Sequence, residues 1–96
     1  MSRAALREEL ERRIQALGSR IAEDEAKLLK GDRPDKVEAA GEIAALRSRQ
    51  AELKERLAEL RSRREEESGW ESFATAIQRD LLDLDTAVQR WARKYY

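Results

Sequence analysis

Neither cysteine nor histidine occurs in these 96 residues. Without thiols there are no disulfides and no thiolate chemistry. Without imidazole as well, the Cys/His and Ser/His nucleophile arrangements are excluded, and the common zinc sites lack their ligands. The Glu-x-x-His pattern of helical di-iron centres is absent for the same reason. Proline occurs once, at Pro34, and four glycines are too few and too scattered for a phosphate-cradling loop. Aromatic residues make up 5% of the chain and charged residues 42%, which leaves material for thin seams between helices but not for a thick core. No apolar run approaches the roughly 20 residues that a membrane span needs. The first ten residues lack the apolar segment of a signal peptide. Neither sign of charge dominates: Lys+Arg number 20, Asp+Glu number 20, and the signs alternate along the chain. No positive face is set aside to replace the counterions of nucleic-acid phosphates. These absences point away from an enzyme, a metal or cofactor protein and a nucleic-acid binder. They point toward a soluble, cytoplasmic chain with no transmembrane segment.

What is present is heptad spacing. Leu10, Ile14, Leu17, Ile21 and Leu28 recur at three- and four-residue steps, and Ile43, Leu46, Leu53, Leu57 and Leu60 do so again beyond Pro34. Such spacing places side chains on one narrow stripe of a helix, the a and d positions of a coiled coil. The first helix is expected over about 2–30, capped by Ser2 at its start. Lys27 and Lys30 complement the dipole at its end, and Gly31 is placed to adopt a left-handed terminal conformation. The second is expected over about 34–66, opening near Pro34 with Asp35 and Glu38 as a capping pair. Folding about Arg33 and Pro34 pairs residues whose numbers add to 67, which sets Leu10 against Leu57, Ile14 against Leu53 and Leu17 against Gln50. Each pair matches an a with a d, as an antiparallel hairpin requires. Gln50 and Asp24 interrupt the seam. On a two-helix seam they stay half-exposed and serve at most to fix register.

The stripe stops over Arg61–Gly69 and resumes in a different heptad phase. One unbroken helix from Pro34 onward competes with a break here, because one glycine costs a helix only about 1 kcal/mol. The phase change and the Ser-x-x-Glu capping box of Ser68 and Glu71 favour a third helix over about 69–95. Its apolar face carries Trp70, Phe73, Ile77, Leu81, Leu84, Val88, Trp91 and Tyr95. Apolar surface of that extent drives association. A line of small residues on the second helix, Val37, Ala44, Ala51 and Ala58, offers one seat for it, and a second copy of the chain offers another. The stripe is therefore expected to build a helical bundle, most simply as a homodimer. Asp80, Asp83 and Asp85 read as a solvated helix face, not a cation site, because the calcium-loop pattern is missing. Trp91, Arg93, Lys94, Tyr95 and Tyr96 mix aromatics with cations as a membrane-surface anchor or a base-stacking site would, but the polar face is mixed in sign, so the expected reading is that Trp91 and Tyr95 continue the core stripe while the cations complement the dipole.

The run Ser68, Gly69, Trp70, Glu71 and Phe73, followed by Asp80, Leu84 and Trp91, resembles a loosely defined group of small bacterial coiled-coil proteins, some associated with stress responses. They share a charged helical hairpin and an amphipathic third helix with a late aromatic. The resemblance implies a structural or stress-related role in a bacterial cell and no catalytic residues. The expected fold is all-α: an antiparallel coiled-coil hairpin plus a third amphipathic helix, forming one domain over 1–96. The expected role is that of a non-enzymatic, self-associating structural or interaction protein. The alternative is a peripheral membrane-surface protein anchored by the third helix.

Overall fold

In a computed structural model describing residues 2–96, the chain forms three helices: α1 (Arg3–Lys30), α2 (Lys36–Ser62) and α3 (Trp70–Tyr95). They lie side by side in a rod of 52 × 19 × 17 Å. Ion pairs give the directions. Glu11 meets Arg61 and Glu25 meets Arg47, so α1 and α2 are antiparallel. Arg56 meets Asp80 and Lys94 meets Glu42, so α2 and α3 are antiparallel. Arg3 meets Glu71, which sets the starts of α1 and α3 at the same end. The result is an up-down-up bundle with short connections.

The hairpin forms as its spacing requires. Leu10, Ile14, Leu17, Ile21 and Leu28 are buried together with Ile43, Leu46, Leu53, Leu57 and Leu60. The carboxamide of Gln50 lies against Gly18, one residue from the Leu17 that folding at Pro34 sets opposite it. The Gln50 Nε2 donates to the Ile14 carbonyl at 3.2 Å. This bond forms in only one alignment of the two helices, so Gln50 fixes register as a polar seam residue can.

The third helix completes the core within the same chain. Trp70, Ile77, Leu81, Leu84, Val88, Trp91 and Tyr95 are all buried against the hairpin, with Phe73 half-buried beside them. Ala74 is also fully buried: the strict 4/3 alternation through 70, 77, 81 and 84 includes it, and the expected series that took Phe73 in its place departs from that alternation. The expected seat was different. Val37 is 88% exposed, and Ala51 and Ala58 face solvent, so α3 does not lie on the small-residue line. It lies instead over the seam, where the large side chains of both hairpin helices are within reach. Burying those side chains releases more free energy than covering alanines, since the gain scales with apolar area. The same placement covers Asp24, expected to be half-exposed: it is 7% exposed, with Oδ2 lacking a hydrogen bond and the Arg20 Nε 4.0 Å away.

The helix ends depart from expectation in instructive ways. Ser2 caps α1 as expected, its Oγ accepting from the Ala5 N–H at 3.0 Å. Gly31, by contrast, is extended (φ −90°, ψ 166°), not left-handed. Asp35 makes no capping bond because its carboxylate is turned to Arg33, 3.0 Å away. Helix α2 therefore begins at Lys36, two residues past Pro34, and it ends at Ser62, short of the expected 66. The break before α3 is real, but Ser68 does not cap it. Gly69 occupies the cap with φ +90°, and Glu71 turns instead toward Arg3 at 3.5 Å.

Two glycines therefore behave oppositely on substitution. Gly69→Ala puts a side chain into a left-handed conformation and is expected to cost about 1–2 kcal/mol. Gly41 lies inside α2 with open space around it, so Gly41→Ala is expected to stabilise by about 0.8–1 kcal/mol. Thermal melts of the two variants should move in opposite directions; a rise for Gly69→Ala would contradict the left-handed turn.

Candidate functional site

Three regions suggested by the sequence were candidates for function, and the fold uses two of them internally. The α3 stripe is core. At the C-terminal cluster, the Trp91 Nε1 donates to the Ala39 carbonyl at 3.1 Å, and Tyr95 is packed beneath Arg33, whose guanidinium lies 5.5 Å from the ring centre. Arg33 also lies 5.5 Å from the Tyr96 ring, so the 31–35 turn is clasped to the end of α3. Lys94 donates to Glu42 at 2.9 Å. That bond raises the lysine pKa and lowers that of Glu42. Burial pushes the Tyr95 phenol above its ordinary range, with the Glu42 carboxylate adding to the shift. Arg33 holds Asp35 below the usual carboxylate range through their direct hydrogen bond. Tyr96 is 58% exposed even so, and Arg93 faces solvent. Trp91 and Tyr95 thus continue the core stripe, as expected.

The carboxylates of α3 stay apart. Asp80 pairs with Arg56, Asp85 accepts from Gln89 at 2.9 Å, and Asp83 faces solvent. Among the described residues no group of three or more carboxylates converges on a point where a metal ion would sit. The opposite end of the rod is held in the same manner as the first. Arg63 stacks 4.5 Å over the Phe73 ring, Arg3 covers Trp70, and Arg7 reaches Glu65 at 3.0 Å.

The surface left over is the face of the hairpin turned away from α3. There α1 and α2 enclose an open groove of about 780 Å³. Its floor is built from Ile14, Gly18, Gln50 and Leu57, and small residues such as Ala22 and Ala58 form its walls. Gly18 keeps the floor low: a Cβ there would stand 2.6 Å from the Gln50 Nε2. Charged residues bridge the rims. Glu11 joins Arg61 at 3.1 Å, and Glu25 joins Arg47. The two most exposed large aliphatic residues among the described residues, Leu29 at 63% and Val37 at 88%, lie outside the groove, past its Glu25–Arg47 end. Leu29 is seven residues beyond Ala22, and Val37 begins the line that ends at Ala58. Sequence reasoning found that line but assigned it to α3. The signal that it missed is the matched seven-residue spacing of Glu11, Gly18 and Glu25 with Arg47, Lys54 and Arg61.

The fold and this surface define the class: a small all-α three-helix bundle with an open groove between α1 and α2 on the face away from α3. Comparison with protein-family models, with curated proteins and with solved structures finds no match to the chain. Among the described residues no helix is long and apolar enough to cross a membrane.

Proposed function

We propose that the chain is a non-enzymatic structural or interaction protein, a rigid helical rod of the scaffold kind that the resemblance links to bacterial stress. The observation that supports this reading is the outer groove of the hairpin, where small side chains line a surface that the chain itself does not cover, with Leu29 and Val37 exposed beyond one end of it. Exposed apolar surface collected on one face marks an interaction site more often than scattered exposure does.

The homodimer expected from the sequence rested on an uncovered α3 stripe. That stripe is covered within one chain, so pairing through α3 would require Trp70, Leu84 and Trp91 to leave a core in which they are at most 3% exposed. A membrane anchor made of α3 carries the same cost. Light scattering at micromolar concentration is accordingly expected to return the mass of one chain, 11.1 kDa. Flotation with anionic vesicles is expected to leave the protein in the aqueous fraction. A stable dimer, or recovery with the vesicles, would overturn the single-chain rod.

A further inference from the structure

We propose that the outer groove of the hairpin seats one helix of a partner protein, with a carboxylate at the midpoint of that helix's buried face. The proposal rests on the interaction reading above and goes further by naming the partner's chemistry. The rims of the groove form a ladder. On α1 the rungs start from residues 11, 18 and 25; on α2 they end at 47, 54 and 61. The outer rungs are closed by Glu11 with Arg61 and Glu25 with Arg47. The middle rung is open. Gly18 supplies no carboxylate, and Lys54 has no ion-pair partner among the described residues. Below this gap lies Gln50, whose Nε2 is committed to the Ile14 carbonyl. The groove thus has a low centre with an uncompensated cation beside it.

A helix laid along this groove meets small walls at Ala22 and Ala58 and the edges of Ile14 and Leu57 on its floor. This is the arrangement by which an amphipathic helix enters a groove, with apolar side chains supplying area and one polar group setting position. A glutamate at its midpoint would supply the carboxylate that residue 18 lacks. A second copy of this chain does not meet that requirement. Stacking α2 on its own copy about the middle of the Val37–Ala58 line sets Gly41 opposite Lys54 and brings two copies of Arg47 together. That arrangement leaves Lys54 uncompensated.

The test uses the full-length ¹⁵N-labelled chain and a synthetic amphipathic peptide of about 21 residues, six helical turns. The peptide carries alanine and leucine on one face, a single glutamate at its centre, and glutamine elsewhere. Addition is expected to shift the amide signals of Gly18, Lys54 and Ala58 while the indole signals of Trp70 and Trp91 stay in place. Lys54→Glu is expected to weaken binding roughly tenfold, the scale of a close interfacial charge pair. A peptide with lysine at its centre should restore affinity to that variant. Three results would overturn the proposal: no shifts on the groove, shifts centred on α3, or the two peptides binding both proteins equally. If the groove stays silent while light scattering and vesicle flotation still give a single aqueous chain, the acidic-helix proposal alone falls. If vesicles withdraw the chain from solution, the interaction reading falls with it.

Discussion

Replacing Leu84 with aspartate is expected to unfold the entire chain, whereas the same change at Leu82 is expected to be nearly silent. Leu84 is 0% exposed in the middle of α3; Leu82, two residues away, is 50% exposed. An aspartate at 84 loses the burial free energy of leucine, about 1.5–3 kcal/mol, and adds the cost of a polar group without a partner. Removing the charge by proton uptake does not restore either loss. Domains of this size are stable by about 5–15 kcal/mol in total, and a helical rod with seams only one side chain thick belongs at the lower part of that range. Loss of α3 also strips the cover from core residues such as Leu53, which lies beside Leu84, leaving a bare hairpin of marginal stability. Circular dichroism should therefore show all three helices lost together in Leu84→Asp. Leu82→Asp should melt within about 0.5 kcal/mol of the parent, as surface changes do. Equal melting of the two variants would refute the placement of α3 over the seam.

Trp91→Ala comes next in size. Truncating a buried tryptophan costs about 3–5 kcal/mol. In a chain of under 100 residues each kcal/mol lowers the melting temperature by about 4–8 °C, so a fall of some 15–30 °C is expected. Part of the loss comes from the indole bond to the Ala39 carbonyl, which ties α3 to the first turn of α2. Trp70 provides the comparison. It is 1% exposed, but its indole nitrogen is buried without a hydrogen-bond partner. Phenylalanine at 91 therefore removes a satisfied bond, and phenylalanine at 70 removes an unsatisfied donor. Leaving a buried polar group unpaired costs about 1–3 kcal/mol, so Trp70→Phe should be the milder change despite similar loss of volume. The reverse order of melting temperatures would show that the Trp91 bond contributes nothing.

The hairpin was legible in the residue pattern because two independent signals agreed. The 3/4 spacing gave the stripe, and the single proline gave the fold point. The alternation then predicted which side chains meet, as the Gln50 contact with α1 bears out. The face of α3 was legible for the same reason, apart from the exchange of weight between Phe73 and Ala74. Where that face would settle was not legible. Spacing gives the direction in which each helix is apolar but not which of two apolar surfaces a third helix prefers. That choice depends on area summed over two helices at once, and the seam offers more than the alanine line. Caps were the least readable part. Asp35 and Ser68 have the residue types of caps, but Arg33 takes the first carboxylate and a left-handed Gly69 makes the second unnecessary. The groove went unnoticed because its defining residue is a glycine. A missing side chain leaves no mark in a hydrophobic pattern and becomes visible only when the rungs on either side of it are seen to close.

The connections at 31–35 and 63–69 join neighbours that lie antiparallel, so two of the three packed pairs of helices are also adjacent in the chain. Low contact order of this kind goes with folding in microseconds to milliseconds. The middle helix belongs to both hairpins, and each hairpin is closed by a connection of only a few residues. The search for the native arrangement can begin from either side, and the last helix to dock finds a template already in place.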